Sequence, residues 1–140
     1  MFTKILLAYD GSDGANRALD LGIDLARTHQ AELWALAVEE TLPRFSGTID
    51  EVQEEKEYQN RYYGQLLDAA MARARDAGIE LKTLLRSGHA AKTIISVAQE
   101  GNFDLVLVGH SGLSAVWATF LGTTAEKVSR HAACSVLIVR

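Results

Sequence analysis

Apolar and polar positions along this chain switch between two periods. Residues 4–9 (KILLAY) form a short apolar run that ends at Asp10. Residues 13–28 follow, with Ala18, Leu19, Leu21, Ile23, Leu25 and Ala26 supplying a helical stripe. Residues 32–38 (ELWALAV) read as a second strand. Residues 51–77 read as a long helix, because Val52, Leu66, Leu67, Ala70, Met71 and Ala74 recur at helical spacing. Acidic residues crowd its first turns, which suits the positive end of a helix dipole, and Gly78 stands where a C′ glycine would stop it. A third strand covers 80–86, a helix runs from 90 to 100, and a fourth strand covers 104–108. A last helix at 124–131 and a fifth strand at 135–139 close the chain.

The order is βαβαβαβαβ, with no internal repeat. Such alternation predicts one α/β domain over residues 1–140, with an open five-stranded parallel sheet and helices on both faces. The runs at 5–8, 104–108 and 136–139 are nearly continuous Ile, Leu and Val, as in strands buried on both faces. The run at 80–86 mixes in Glu80, Lys82 and Thr83 and fits a sheet edge. Two connections are longer than a compact fold needs: 39–50 and 109–122. Both leave the carboxyl ends of strands, where open α/β sheets bind ligands.

Composition narrows the class. The 140 residues (15.3 kDa) are 48% hydrophobic and 23% charged, as in one ordinary globular domain. No stretch approaches the ~20 apolar residues of a membrane helix, and the opening MFTKILLAYDGS lacks the pattern of a secretory signal. Cys134 is the single cysteine, which excludes an internal disulfide framework and points to a reducing, cytoplasmic setting. The net charge of −4 and the lack of a basic run argue against nucleic acid as a partner.

The most informative segment is Gly109-His110-Ser111-Gly112, followed after nine residues by Gly122-Thr123-Thr124. Glycines allow close backbone approach to a ligand. The second part sits where a helix begins, and free N–H groups with the helix dipole favour an anion there. Thr123 and Thr124 could add hydroxyl donors to phosphate oxygens. A structural reading of the same residues is a capping box, with Thr123 as N-cap and Glu126 answering it. The two roles can coexist.

The spacing Gly109-x2-Gly112-x9-Gly122-Thr123 resembles the nucleotide-binding signature of the universal stress protein family. The opening KILLAYDGSDGANRAL resembles that family's first strand and helix, and GTTAEKVSRHAACSVLIVR its last helix and strand. The resemblance implies a sheet of order 3-2-1-4-5, a homodimer and, for members carrying the signature, ATP binding. It places Asp10 near the ribose and the phosphate-bound magnesium. It places the backbone of Val38 against adenine, and Val108 and Gly109 beside the ribose. Gly112 matches a phosphate-facing glycine, and Gly122, Thr123 and Thr124 match the turn that holds the outer phosphates. For Asp10 there is also a plain structural role, since Asp10 or Ser12 could cap the following helix. In this strand order the winding reverses between the first and fourth strands, which opens a crevice that Asp10 and Gly109 would both line.

Some positions depart from the family pattern. Ser111 stands where many members carry a basic or bulkier polar residue, and Ala90 and Ser135 replace frequent prolines. His110 reads more naturally as a solvated loop residue than as a phosphate ligand. Trp117 and Phe120, with Leu113, Val116 and Leu121, form an apolar insert that reads as packing rather than as a lid. Tyr62 and Tyr63 read as surface or dimer contacts. Cys134 reads as a small core residue. The last strand, SVLIV, becomes a sheet edge without protective charges, so pairing with its twin across a two-fold axis is expected through 135–139.

The leading expectation is therefore an ATP-binding, homodimeric stress-response regulator with slow or no hydrolysis. No P-loop lysine directly follows Gly122, and Asp10 is the only acidic residue with a reasoned place in the crevice. The alternative is a dimeric interaction protein that binds no nucleotide and acts through its dimer surface. Nucleotidyltransferase, phosphorylation-receiver and flavodoxin-like readings each lack their signature residues.

Overall fold

The computed structural model describes residues 1–40, 47–111 and 121–140. The elements run β1 (Lys4–Ala8), α1 (Asp13–His29), β2 (Glu32–Glu39), α2 (Ile49–Asp76), β3 (Leu81–Ser87), α3 (Ala90–Glu100), β4 (Leu105–Gly109), α4 (Thr123–His131) and β5 (Ser135–Val139). All five strands pair in parallel, in the order β3-β2-β1-β4-β5. The expected fold and strand order are both observed.

Position in the sheet follows composition. Ile5, Leu6 and Leu7 of β1 are fully buried, and β4 next to it buries Leu105 to Val108. Unbroken aliphatic runs suit strands covered on both faces; the run at 136–139 departs from that expectation, because β5 is an edge strand and its residues are only half-buried. Alternation of side chains divides the core in two. Ile5, Leu7, Leu33, Ala35, Leu105 and Leu107 pack under α1 and α2. Leu6, Leu36, Val106 and Val108 pack under α3 and α4 with Ile94, Ala125 and Val128. The edge strands are less covered: β3 is mostly half-buried and Val136 to Val139 of β5 are all half-buried. Cys134 is half-buried against the second core, and burial pushes its thiol pKa up, so it stays protonated and inert. No helix of the described residues is long and apolar enough to cross a membrane.

The helix ends show where local sequence was decisive. Ser12 caps α1, its hydroxyl accepting from the Ala15 N–H at 3.1 Å. Asp10 does not cap the helix; its Oδ1 accepts from the Ser12 N–H at 2.9 Å and fixes the turn before it. Helix α2 begins two residues earlier than its apolar spacing suggests. The reason is a complete capping box, in which Thr48 and Glu51 each accept from the other's backbone N–H. At its other end Gly78 lies at φ +81°, its N–H bonding to the Arg75 carbonyl and the Ile79 N–H to the Ala74 carbonyl. That is the double bond pattern of a Schellman stop.

Two glycines set the distance between α1 and β4. A Cβ at Gly109 would lie 3.1–3.4 Å from the backbone of Gly14, and one at Gly14 would lie 2.8 Å from the Ser111 carbonyl oxygen. Helix and strand therefore touch backbone to backbone, directly beside the place where the winding of the sheet reverses.

Candidate functional site

The pairing of β1 with β2 ends at Ala8 opposite Leu36, where the Tyr9 N–H donates to the Leu36 carbonyl at 2.9 Å. Alternate residues of a strand turn their backbone groups to the same side. Val38 therefore directs its N–H and C=O toward the space that β1 has left, while Glu39 turns to β3 and accepts from the Gly88 N–H at 2.8 Å. On the other side, β4 pairs with β1 only as far as Leu107. The His110 N–H donates to the Val139 carbonyl at 2.7 Å, so even-numbered β4 residues face β5 and Gly109 faces the β1 side. Val38 and Gly109 thus flank one crevice with backbone donors and acceptors that find no partner among the described residues, and Asp10 leaves β1 at its base. Val108 buries its side chain in the core under α3 and α4 and turns its backbone to β5, so it stands at this edge without facing the crevice.

The N-terminus of α4 closes the far side. Its N-cap is Gly122, not Thr123, and no side chain caps it. The expected capping box is not formed. The Glu126 N–H bonds the Gly122 carbonyl, which puts Glu126 at the fourth helical position, one too far to reach back. The N–H groups of Thr123, Thr124 and Ala125 are consequently left without a side-chain cap. Gly122 is tied to the end of β4, its N–H donating to the His110 carbonyl at 2.8 Å. His110 is not the solvated residue expected from its loop position, being only 8% exposed. Strand alternation continues one residue past β4 and carries its side chain inward after Val106 and Val108. Helix α3 likewise lacks a side-chain cap, but it follows the edge strand β3, away from the crevice.

Asp10, Val38, Val108, Gly109, Gly122, Thr123 and Thr124 therefore all stand at the carboxyl edge of the sheet. Gly112 lies outside the described residues, as do Leu113, Val116, Trp117 and Phe120. Asp10 keeps its second carboxylate oxygen free of hydrogen bonds among the described residues. No cluster of three metal-ligating side chains occurs among them either.

One residue at this edge escapes a reading for chemistry. Glu39 is 5% exposed at the end of β2. Its carboxylate accepts from the Ser87 hydroxyl at 3.2 Å, and with the Asn60 amide turned so that its nitrogen faces the carboxylate it accepts from that group at 2.5 and 3.1 Å. It braces α2 against the sheet one residue after Val38. The period-two pattern that puts Ala35 and Ala37 in the core extends to it, which is the signal that could have found it. Tyr63 packs nearby; burial pushes its pKa up, and Tyr62, Glu39, Glu40 and Asp10 push the same way. Tyr9 donates to Asn16 Oδ1 at 2.7 Å, and burial raises its pKa too. Both phenols are neutral at physiological pH. Tyr62 is exposed, as expected, and Tyr63 is half-buried against the core under α2.

With this geometry in place, the universal stress protein family model matches residues 1–140. The chain belongs to the universal stress protein family. The universal stress protein YxiE of Bacillus subtilis is 34% identical over 151 aligned positions, covering all of both chains. The structure of universal stress protein UspA from Lactobacillus plantarum superposes with a TM-score of 0.88 at 27% identity, covering 99% of this chain and 98% of that one. A universal stress protein crystallised in complex with cAMP superposes at 0.77 with 26% identity, covering 99% and 97%. The sheet order and the family thus agree with what the glycine signature and flanking segments suggested.

Proposed function

We propose that this chain binds an adenine nucleotide, with magnesium-ATP as the principal ligand, in the crevice between the ends of β1 and β4. The observation that carries the reading is the gathering of open backbone groups at one edge: Val38, Gly109 and the uncapped first turn of α4. An adenine edge offers one donor and one acceptor, which matches the N–H and C=O of Val38. Gly109 would lie beside the ribose through its backbone, and Val108 is assigned there on the family resemblance alone. The N–H groups after Gly122, with the hydroxyls of Thr123 and Thr124, suit phosphate oxygens. Gly112 is assigned to the phosphates on the signature spacing alone. The relative bound to cAMP supports an adenine nucleotide as the ligand class.

Magnesium would arrive with the phosphates. It takes mostly water and phosphate oxygens and one or two carboxylates. Asp10 fits as such a carboxylate, because among the described residues only one of its oxygens is engaged, in the turn. A bound magnesium would neutralise phosphate charge; Asp10 would orient it through water or directly. Turnover is expected to be slow or absent. Lys127 lies a full turn inside α4, so no lysine reaches the phosphates from the Gly122 turn in the P-loop manner. The protein then acts as a regulator whose signal is occupancy, in a cytoplasmic stress response.

We also infer a homodimer through β5. Its residues Val136 to Val139 are half-buried at a free edge that carries no charge within the strand. Should nucleotide fail to bind, this edge becomes the functional object, and the protein an interaction module that acts through its dimer surface. Sedimentation that finds only a 15 kDa species at micromolar concentration would count against the dimer.

The deciding experiment is calorimetric titration of magnesium-ATP into protein stripped of carried-over nucleotide. Binding near one per chain, weakened at least about tenfold (~1.4 kcal/mol) by Gly122→Val, supports the reading. Gly122 has ordinary backbone angles (φ −62°, ψ 151°), so valine there strains no backbone, and the variant's circular dichroism and melting temperature check its fold. Absence of binding up to millimolar ATP by folded protein would sink it. Parallel titrations with ADP, AMP and cAMP rank the natural ligand.

A further inference from the structure

Helix α2 packs on the same face of the sheet as α1, and two of its side chains mark the strand ends at the carboxyl edge. Asn60, with its amide nitrogen turned to the carboxylate, holds Glu39, the residue after Val38. Leu66 lies against the turn that follows β1. A Cβ added at Gly11, the residue after Asp10, would lie 2.7 Å from its Cδ2. The two contacts stand on either side of the gap that opens where β1 stops and β2 runs on.

Tyr63 is midway between them in sequence. At 3.6 residues per turn, Asn60 and Leu66 fall about 60° to either side of its direction, so Tyr63 is aimed between the two strand ends. Ala70 and Ala74 lie within about 20° of the same direction. Both are fully buried, so this is the line along which α2 faces the sheet. Tyr63 itself is half-buried against the core, and Tyr62 meets its ring edge-on at 5.3 Å between centroids. Burial does most to raise its pKa, and Glu39 and Asp10 are among the charges that add to it, one from each side of the gap. Its hydroxyl has no hydrogen bond among the described residues. Tyr58 and Tyr62 are exposed, so Tyr63 is the aromatic ring that α2 turns toward the sheet.

The direction of the Val38 backbone gives that ring a use. Strand N–H and C=O groups lie in the plane of the sheet. A base that bonds edge-on to Val38 therefore continues that plane into the space β1 has left. One of its flat faces then looks toward the layer of α1 and α2, where Tyr63 stands.

We propose that Tyr63 lies against the face of the bound adenine and is a specificity-determining residue of the nucleotide site. The inference rests on the proposed nucleotide site and deepens it. Val38 reads the edge of the base through its backbone, and Tyr63 adds an aromatic contact to its face.

The test is calorimetric titration of magnesium-ATP into the full chain and two variants, with proton NMR of the bound nucleotide. Tyr63→Leu keeps an apolar side chain against the core and removes the ring; circular dichroism and the melting temperature check its fold. It should weaken magnesium-ATP about tenfold. Tyr63→Phe keeps the ring and should bind like the unsubstituted chain. In the unsubstituted chain and in Tyr63→Phe, the ring current should move the adenine H2 and H8 signals upfield, and in Tyr63→Leu it should not. Equal affinity of Tyr63→Leu would overturn the proposal and leave the nucleotide site standing. Tyr63→Phe as weak as Tyr63→Leu would assign the contact to the hydroxyl and overturn the stacked arrangement. A missing upfield shift in the unsubstituted chain would overturn it even if Tyr63→Leu fails to fold. No binding of magnesium-ATP by the unsubstituted chain would remove the site itself, and the proposal with it.

Discussion

At the amino-terminal edge of the sheet the polar groups are paired by the protein itself. Asp104 accepts from the Thr3 N–H, the Thr3 hydroxyl and the Lys4 N–H, and Lys4 Nζ donates to the Gly101 carbonyl at 2.7 Å. The Phe2 N–H reaches His29 Nδ1, and Glu32 pairs with Lys82 across β2 and β3. Lys4 and Lys82 each lie within about 6 Å of the Trp34 ring face. At the carboxyl-terminal edge the pattern reverses. The backbone groups of Val38 and Gly109 face a crevice, α4 begins at a glycine with no side-chain cap, and one Asp10 oxygen is unengaged among the described residues. A closed edge gains its stability from its own bonds. An open edge leaves donors and acceptors in water, where they remain available to a ligand.

Substitutions should separate the two edges, and the largest effect belongs to the close packing behind the open one. Gly14→Ala puts a methyl 2.8 Å from a backbone oxygen that cannot rotate away. We expect a loss of about 1–3 kcal/mol in denaturant unfolding, and with it loss of nucleotide binding, because α1 and β4 must separate. Next comes Ser12→Ala, which removes the α1 cap and should cost about 1 kcal/mol while leaving nucleotide affinity within about twofold. An unchanged melting temperature would show that the Asp10 turn alone sustains that helix end.

The closed edge should instead respond to pH. Burial works to raise the pKa of Asp104, but the hydrogen bonds from Thr3 and Lys4 outweigh it and hold the carboxyl below its ordinary value. The folded state thus favours the carboxylate more than the unfolded chain does. The resulting stability is present above the ordinary aspartate pKa, roughly 3.9, and is lost as pH falls through the lower folded value. Asp104→Asn should flatten that acid limb and lower stability at pH 7 by about 1 kcal/mol, checked by urea unfolding from pH 2 to 7. The smallest effect is expected from Glu32→Gln. It breaks an exposed ion pair and should leave the melting temperature unchanged within error. A clear drop would mean that the Lys82–Trp34 contact depends on that carboxylate.

Much of this was legible beforehand because it is written locally. The aliphatic runs of β1 and β4 mark them as central, and the mixed run of β3 marks it as an edge. Gly78 stops α2 as its position suggests. The start of α2 was legible in principle too, since Thr48 and Glu51 have capping-box spacing, but apolar periodicity looks past a helix end that buries nothing. Thr123 and Glu126 have the same spacing and form no box. Two identical local signals gave opposite outcomes, and the difference is tertiary: the His110 carbonyl holds the Gly122 N–H and starts α4 one residue earlier. His110 and Glu39 illustrate the same limit. Each is a polar residue at a strand end, Glu39 the last paired residue of β2 and His110 one past β4, and each is buried because the strand's inward face runs to that end.

The sequence by itself determined the element order, the parallel sheet, the family and the residues that gather at one edge, because these follow from periodicity, glycine placement and a specific spacing. Only the tertiary structure decided which backbone groups remain open there. Whether an N–H or a C=O is free depends on where neighbouring strands stop: β1 ends beside Val38 and Gly109, and β5 runs on to pair with His110. Hydrogen bonding between strands is a property of register, and register exists only once the chain has folded.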